Sequence, residues 1–110
     1  MIAILCIALV SCGAVRSGYN KCLDDIREDL LNPDTLKVKS ASCITTPDGE
    51  CAYKIEYTAK NAFNSYVNSK TAYYLYDPNQ DELSEGYSLY NIIQVAYNAN
   101  FDGYKYTKIK

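Results

Sequence analysis

The residues best able to carry chemistry in this chain are its cysteines, because the sequence contains 5 cysteines and 0 histidines. Without histidine the chain lacks the commonest general base, the commonest metal ligand and the usual partner of a nucleophilic serine or cysteine. Cys22, Cys43 and Cys51 contain no CxxC pair, and a structural zinc site takes four cysteine or histidine ligands. The composition therefore predicts neither a cysteine-dependent enzyme nor a metal centre, and we expect no cofactor.

The same cysteines are better suited to a disulfide. The segment TPDGE at 46–50 is typical of a chain reversal, because Pro presets φ, Asp bonds back to the backbone and Gly accepts a positive φ. This turn would bring Cys43 and Cys51 onto adjacent strands, where they could face each other. We therefore predict a Cys43–Cys51 disulfide, with Cys22 free and buried on a helix face. Pairing of Cys22 with either of the other two is the alternative.

Paired carboxylates are the other chemistry that the sequence could support. Asp24 and Glu28, and likewise Asp25 and Asp29, are four residues apart on one predicted helix. Such pairs are usually solvated, and no pattern here indicates a cleft that would raise a carboxyl pKa. The protein is therefore expected to be non-enzymatic. Its net charge of −2 also argues against a nucleic-acid partner.

The N-terminus carries a pattern for export and lipid attachment. Residues 2–10 (IAILCIALV) are uninterrupted apolar. They are too few to cross a bilayer as a helix, which needs about 20 residues, but they fit the apolar part of an export signal. The following LVSC at 9–12 resembles the lipobox of bacterial lipoproteins. In that family the cysteine, here Cys12, receives a diacylglyceryl group and becomes the new N-terminus after cleavage. One departure is that Met1-Ile2 offers no Lys or Arg.

This resemblance implies a signal peptide at 1–11, a lipidated Cys12 with a short tether at 12–18, and a single globular domain at 19–110. At about 0.8 kcal/mol per buried CH₂, two or more acyl chains hold a protein stably at a membrane. The expected location is the cell envelope, and specifically the outer membrane in a cell with two membranes, because Gly13 stands where Asp would commonly signal inner-membrane retention. The tether reaches at most about 20 Å, so the domain would lie close to the membrane.

The first element of the predicted domain is a helix. Leu23, Ile26 and Leu30 recur at helical spacing, and Asn32-Pro33 ends the run because a residue before Pro is pushed out of the α region. The pattern predicts a helix over 19–31.

The best core candidates lie in a predicted hairpin. Apolar and polar residues alternate over 51–60 and again over 66–76, which predicts two strands with opposite-facing side chains. A turn at 61–65 joins them, and Asn61 and Asn64 can carry the reversal because Asn tolerates positive φ. We expect Phe63 to tuck under this turn as a plug.

The remaining elements complete an α+β fold. A strand enters at 34–39, residues 83–99 favour a helix, and the Lys-rich end is either strand or tail. Phe101 is expected to cap the core. The predicted architecture is an N-terminal helix packed on a small antiparallel sheet of about three strands, followed by a C-terminal helix.

Two segments resemble a group of small exported bacterial domains, often lipoproteins and sometimes phage-encoded. They are LNPDTLKV at 31–38, which follows the first helix, and YTAKNAFN at 57–64, which ends a strand. The likeness extends over about 20–76 and departs at Asn64, where the group usually has Gly. The resemblance implies fold and export, and it brings no established activity.

Tyrosine is the dominant aromatic residue, with 12 Tyr against 2 Phe and no Trp. Tyr is enriched at binding patches, and Tyr66, Tyr74 and Tyr76 would share one face of the second hairpin strand. We predict these three residues as a binding face.

Three functional hypotheses follow. The first is a membrane-anchored envelope lipoprotein that contacts a protein partner, for example an envelope component or one involved in phage superinfection exclusion. The second is a module that binds glycan or peptidoglycan fragments by stacking on tyrosine. The third is a plain secreted protein, in which the even set Cys12, Cys22, Cys43 and Cys51 forms disulfides.

Overall fold

The computed structural model describes the backbone of residues 2–110 and the side chains of residues 13–110. The helices are α1 (Ile2–Glu28) and α2 (Tyr87–Asn98), with one 3-10 turn at Pro33–Thr35. The strands are β1 (Lys37–Thr45), β2 (Cys51–Thr58), β3 (Lys70–Asp77), β4 (Glu82–Glu85) and β5 (Lys105–Lys108).

The five strands form one antiparallel sheet in the order β4-β3-β2-β1-β5, with one helix on each face. The α+β class is confirmed, whereas the expectation of about three strands is wrong. The two additional strands, β4 and β5, are only four residues long and mostly exposed. They exist because they pair with the longer strands β3 and β1, which local alternation cannot reveal.

The first helix is longer at its N-terminal side than expected and ends three residues early. Residues 13–18, expected as a tether, are helical, and Ala14 and Val15 pack against the core. The hydroxyl of Tyr53 donates a hydrogen bond to the Val15 carbonyl over 2.7 Å, which fixes this part of α1 on the sheet. Among residues 13–110, no helix is long and apolar enough to cross a membrane.

The face under α1 holds the larger core. Tyr53 and Ile55 of β2 are fully buried there, beneath Cys22 and Ile26 of the helix. The opposite face is covered by α2, where Tyr90 packs on Ile44 and Ala52. The α1 side of β2 and β3 is therefore almost fully buried, whereas their α2 side is only partly buried and keeps Lys54 and Thr71 exposed.

Turn chemistry is predicted well, whereas the two phenylalanines are not. Gly49 and Asn64 both adopt positive φ, as expected for the turns that they close, whereas Asn61 does not. Phe63 is 88 % exposed and Phe101 is 61 % exposed, so neither plugs a turn nor caps the core. Phe63 points away because the backbone of its turn is closed by Asn61, whose side chain accepts hydrogen bonds from the Phe63 and Ser65 amides.

Candidate functional site

The cysteines lie together in the core under α1. Cys22, Cys43 and Cys51 are completely buried, and all three are free thiols. The β1–β2 register pairs Cys43 with Tyr53 and Cys51 with Thr45, so the two cysteines are diagonal neighbours rather than directly opposite. Diagonal Cα atoms lie roughly 7–8 Å apart, at the limit for an unstrained disulfide. The Cys43–Cys51 bond therefore stays a prediction, and Cys22 lies in the same cluster.

The Cys43 and Cys51 thiols affect each other's ionisation. The neighbouring Cys43 thiol holds the pKa of Cys51 below its usual range. The Cys51 thiol, together with burial, raises the pKa of Cys43. Because both sulfur atoms are sealed from solvent, this thiol pair belongs to the packed core and does not form an open site for a substrate.

The predicted tyrosine binding face is wrong for two of its three members. Tyr74 and Tyr76 do share a face, but that face is covered by α1, and they are only 2 % and 4 % exposed. The Tyr74 hydroxyl donates to Asp25 of α1 over 2.8 Å, and the Tyr76 hydroxyl donates to Asp81 over 2.7 Å. These tyrosines hold the helix on the sheet and cannot contact a partner.

The acidic residues at 24–29 lie on the last turns of α1 and directly after it. Asp25 is half-buried and accepts the hydrogen bond from the Tyr74 hydroxyl. The other three acidic side chains are exposed: Asp24, Glu28 and Asp29. Asp24 lies 3.4 Å from the Arg27 guanidinium in an exposed ion pair. These side chains are solvated or structural.

Only Tyr66 of the predicted face is open to solvent, and it lies beside a groove. The groove has a volume of about 220 Å³ and opens to solvent between the end of α1 and the β2–β3 connection. Its apolar lining comes from Leu30, Leu31, Tyr57, Ala59 and Val67. The charged side chains along it are Asp29, Lys60 and Lys70.

Four exposed apolar side chains lie in the segments that line the groove or in the turn between them. They are Leu31 at 76 %, Phe63 at 88 %, Tyr66 at 52 % and Val67 at 40 % exposure. Single exposed apolar residues are ordinary, but a group of them beside a concavity is typical of a contact surface. We name these four residues the tip surface.

A hydrogen-bond network joins the two segments that carry the tip surface. The Asn32 side chain donates to the carbonyls of Asn61 at 2.9 Å and Lys60 at 3.3 Å. The Thr35 hydroxyl accepts a hydrogen bond from the Lys60 amide at 2.9 Å and donates to the Asn32 carbonyl at 2.7 Å. The two segments 31–38 and 57–64, which carry the sequence resemblance, therefore bind one another directly.

Two lysine side chains lie over the face of the Tyr66 ring. The ammonium groups of Lys60 and Lys37 lie 5.4 Å and 5.9 Å from the ring centroid, within the range of a cation–π contact. The hairpin between β2 and β3 continues here as the Lys60–Tyr66 bridge. The arrangement suits recognition by apolar contact and hydrogen bonding, with positive charge nearby.

Sequence reasoning identified Tyr66 but missed the groove. Its walls come from 29–31, 57–61 and 67–70, which are far apart in the chain. The sequence feature that could have indicated the groove is the pair of segments 31–38 and 57–64, which carry the resemblance. Polar residues of these two segments bond the walls of the groove together.

Comparison with protein-family models, with curated proteins and with solved structures finds no match. The likeness to exported bacterial domains consequently rests on the quoted segments alone.

Proposed function

We propose that this protein is a non-enzymatic lipoprotein of the bacterial cell envelope that acts through protein–protein contact at the tip surface. The observation that carries the proposal is the group of four exposed apolar side chains around the groove, held on a hydrogen-bonded loop. A rigid apolar surface binds a partner without first losing conformational entropy.

The lipid anchor would come from Cys12, whose side chain lies outside the described residues. The packed part of α1 begins at Ala14, two positions later, so the lipid would hold the body of the domain against the membrane. From Ala14 to the end of α1 at Glu28 the chain advances about 21 Å at the rise of an α-helix. With Cys12 at the bilayer, the tip surface lies at the opposite end of α1, where it can reach a partner that projects from the membrane.

A crosslinking experiment in cells that express the full chain tests the contact. A photoreactive phenylalanine analogue at Phe63 is expected to give a discrete adduct with one envelope protein. In a second experiment, with the crosslinker at Leu31, the double variant Phe63→Ala/Tyr66→Ala is expected to reduce that adduct about tenfold or more, because anchor aromatics dominate interface energetics. Both side chains are more than half exposed, so the variant should fold normally.

The matched control is Ile92→Ala/Val95→Ala, which removes two equally exposed apolar side chains from α2 on the other face of the sheet. It is expected to leave the adduct unchanged. An equal loss of adduct in both double variants would show that the adduct arises from non-specific hydrophobic association. An unchanged adduct in both would refute the tip surface as the contact.

A specific form of this proposal is exclusion of a superinfecting phage, in which the partner is an envelope receptor. Cells that carry the chain would then resist a phage that uses that receptor. Plating efficiency should return to the level of cells lacking the protein when Phe63 and Tyr66 are both alanine.

A glycan- or peptidoglycan-binding module is the second candidate, and the exposed Tyr66 beside a groove favours it. Against it, the ammonium groups of Lys37 and Lys60 lie over the ring on which a sugar would stack. Saturable thermal stabilisation by peptidoglycan fragments, lost in Tyr66→Ala, would favour this candidate over protein contact.

A further inference from the structure

The outer edge of β3 is only partly covered. The strand runs from Lys70 to Asp77, whereas its outer neighbour β4 pairs only with Tyr74 to Asp77. Beyond those pairs, the Gly86 amide donates to the Tyr73 carbonyl over 2.9 Å. Among the described residues, no strand pairs with the outer side of Lys70–Thr71.

The uncovered part of this edge presents backbone hydrogen-bonding groups to solvent. In an antiparallel strand the amide and carbonyl of one residue point to the same side, and the side alternates along the strand. The Tyr73 carbonyl points outward to Gly86, so the amide and carbonyl of Thr71 point outward as well. Thr71 is exposed, which leaves both groups free to pair with an added strand.

The corresponding open edge of β1 is protected. β5 covers Ser42–Thr45, and the Ala41 carbonyl accepts hydrogen bonds from the chain end. Between Val38 and Ser40 the register shifts at a β-bulge. A bulge bends a strand and disrupts pairing, which is one way in which proteins protect an edge. The paired register of β3 is continuous from Lys70 to Asp77.

The open edge of β3 is continuous with the groove. Lys70, which precedes Thr71, also lines the groove, together with the apolar Leu30 and Val67. Alternate side chains of an added strand would face the α1 side of the sheet, and one of them would reach this concavity. Two lysines, Lys60 and Lys70, line the groove against one acid, Asp29.

From this juxtaposition we infer that the partner binds by adding a strand. An extended segment of the partner protein pairs with the Thr71 edge of β3, inserts an apolar side chain into the groove and presents an acidic residue to Lys70. Main-chain pairing supplies affinity in this mode of recognition, and side-chain pockets supply selectivity. The inference rests on the proposed protein–protein function and names the kind of segment that is recognised.

The test uses a displayed library of random octapeptides, selected on the purified full chain. Binders are expected to carry β-branched or aromatic residues together with at least one acid. Thr71→Pro removes the outward amide, at the kind of edge position where Pro is tolerated, and should weaken binding about tenfold or more. Thr71→Val keeps the amide and the branched shape, and it should bind as the parent does.

A second measurement does not depend on how well Thr71→Pro folds. Selected peptides that are N-methylated at alternate residues keep every side chain but lose their strand amides. The alternate residues can be methylated as either of two sets. Methylation of one of these two sets is expected to weaken binding to the parent chain at least about tenfold. Hydrogen exchange at the Thr71 amide should slow when the unmodified peptide is bound.

The outcomes separate this inference from the broader proposal. Strand addition is supported if N-methylation of one alternating set of peptide residues abolishes binding and if hydrogen exchange at the Thr71 amide slows. Strand addition would be overturned by peptides whose binding is unaffected by Thr71→Pro and by N-methylation but is lost in Val67→Asp. The tip surface would then remain as the contact. A library that yields no binders, or only binders insensitive to all of these changes, would overturn both.

Discussion

Cys22 illustrates how a buried group contributes to the response of this protein to pH. Its side chain is completely buried between α1 and the sheet, and desolvation raises the pKa of its thiol well above the ordinary value of 9.0. In the unfolded chain the same thiol ionises near its ordinary pKa. The folded state therefore holds a proton that the unfolded state releases, so stability falls as the pH rises above about 9.

The first prediction concerns this alkaline loss. At pH 10 the Cys22 thiol should reduce the free energy of unfolding by about 1.4 kcal/mol relative to pH 7. The variant Cys22→Ala should lose correspondingly less over that range, although the buried tyrosines titrate in both proteins. Urea unfolding at pH 7, 8, 9 and 10, under reducing conditions, measures the difference. Parallel pH profiles for the two proteins would contradict the assignment.

Residue-level prediction from the sequence succeeded where it depended on local geometry. Asn64 takes the positive φ expected of it, and Tyr74 and Tyr76 share a face as alternation requires. Alternation tells which residues share a face but not which face is covered. Because α1 covers the face of Tyr74 and Tyr76, the expected binding residues became structural ones.

At the scale of elements, the seating of α1 depends on a close approach at Gly18. A Cβ atom there would lie 2.7 Å from Cδ2 of Tyr76 and would also clash with the Tyr53 hydroxyl. Tyr53 cannot move aside easily, since it is fully buried and bonded to the Val15 carbonyl. Gly13, one and a half turns earlier in the same helix, has no atom within 4 Å of such a Cβ.

The second prediction compares these two glycines. Gly18→Ala should lower the free energy of unfolding by about 1–3 kcal/mol through overpacking. Gly13→Ala should leave it unchanged or raise it by up to about 1 kcal/mol, because alanine favours a helix. Urea unfolding of the purified full-length variants tests the pair. Equal effects at the two positions would mean that α1 is not seated on Tyr53 as described.

Long elements were predictable, and the short ones were not. Helical spacing over 19–31 and alternation in β2 and β3 arise from burial of one side of each element. By contrast, β4 and β5 are held by pairing with distant strands. The helical state of residues 13–18 likewise depends on Tyr53, which lies 38 positions after Val15.

At the scale of the whole molecule, one helix links the two features that the proposed function needs. Its N-terminal part holds the expected anchor at Cys12, and the residues directly after its C-terminal end, Asp29 and Leu30, form one wall of the groove. The groove itself could not be read from the sequence, because three separated segments build it. The lipobox is a local motif, which is why the anchor could be proposed from sequence alone.

The decisive measurement is the intact mass of the protein in the membrane fraction of a bacterial host, with the full chain and Cys12→Ala expressed side by side. We expect a chain that begins at Cys12 and carries a diacyl or triacyl adduct, and we expect both the adduct and the membrane association to be lost in the variant. A product without lipid mass, or one with Cys12 in a disulfide, would contradict the envelope lipoprotein and favour a plain secreted protein.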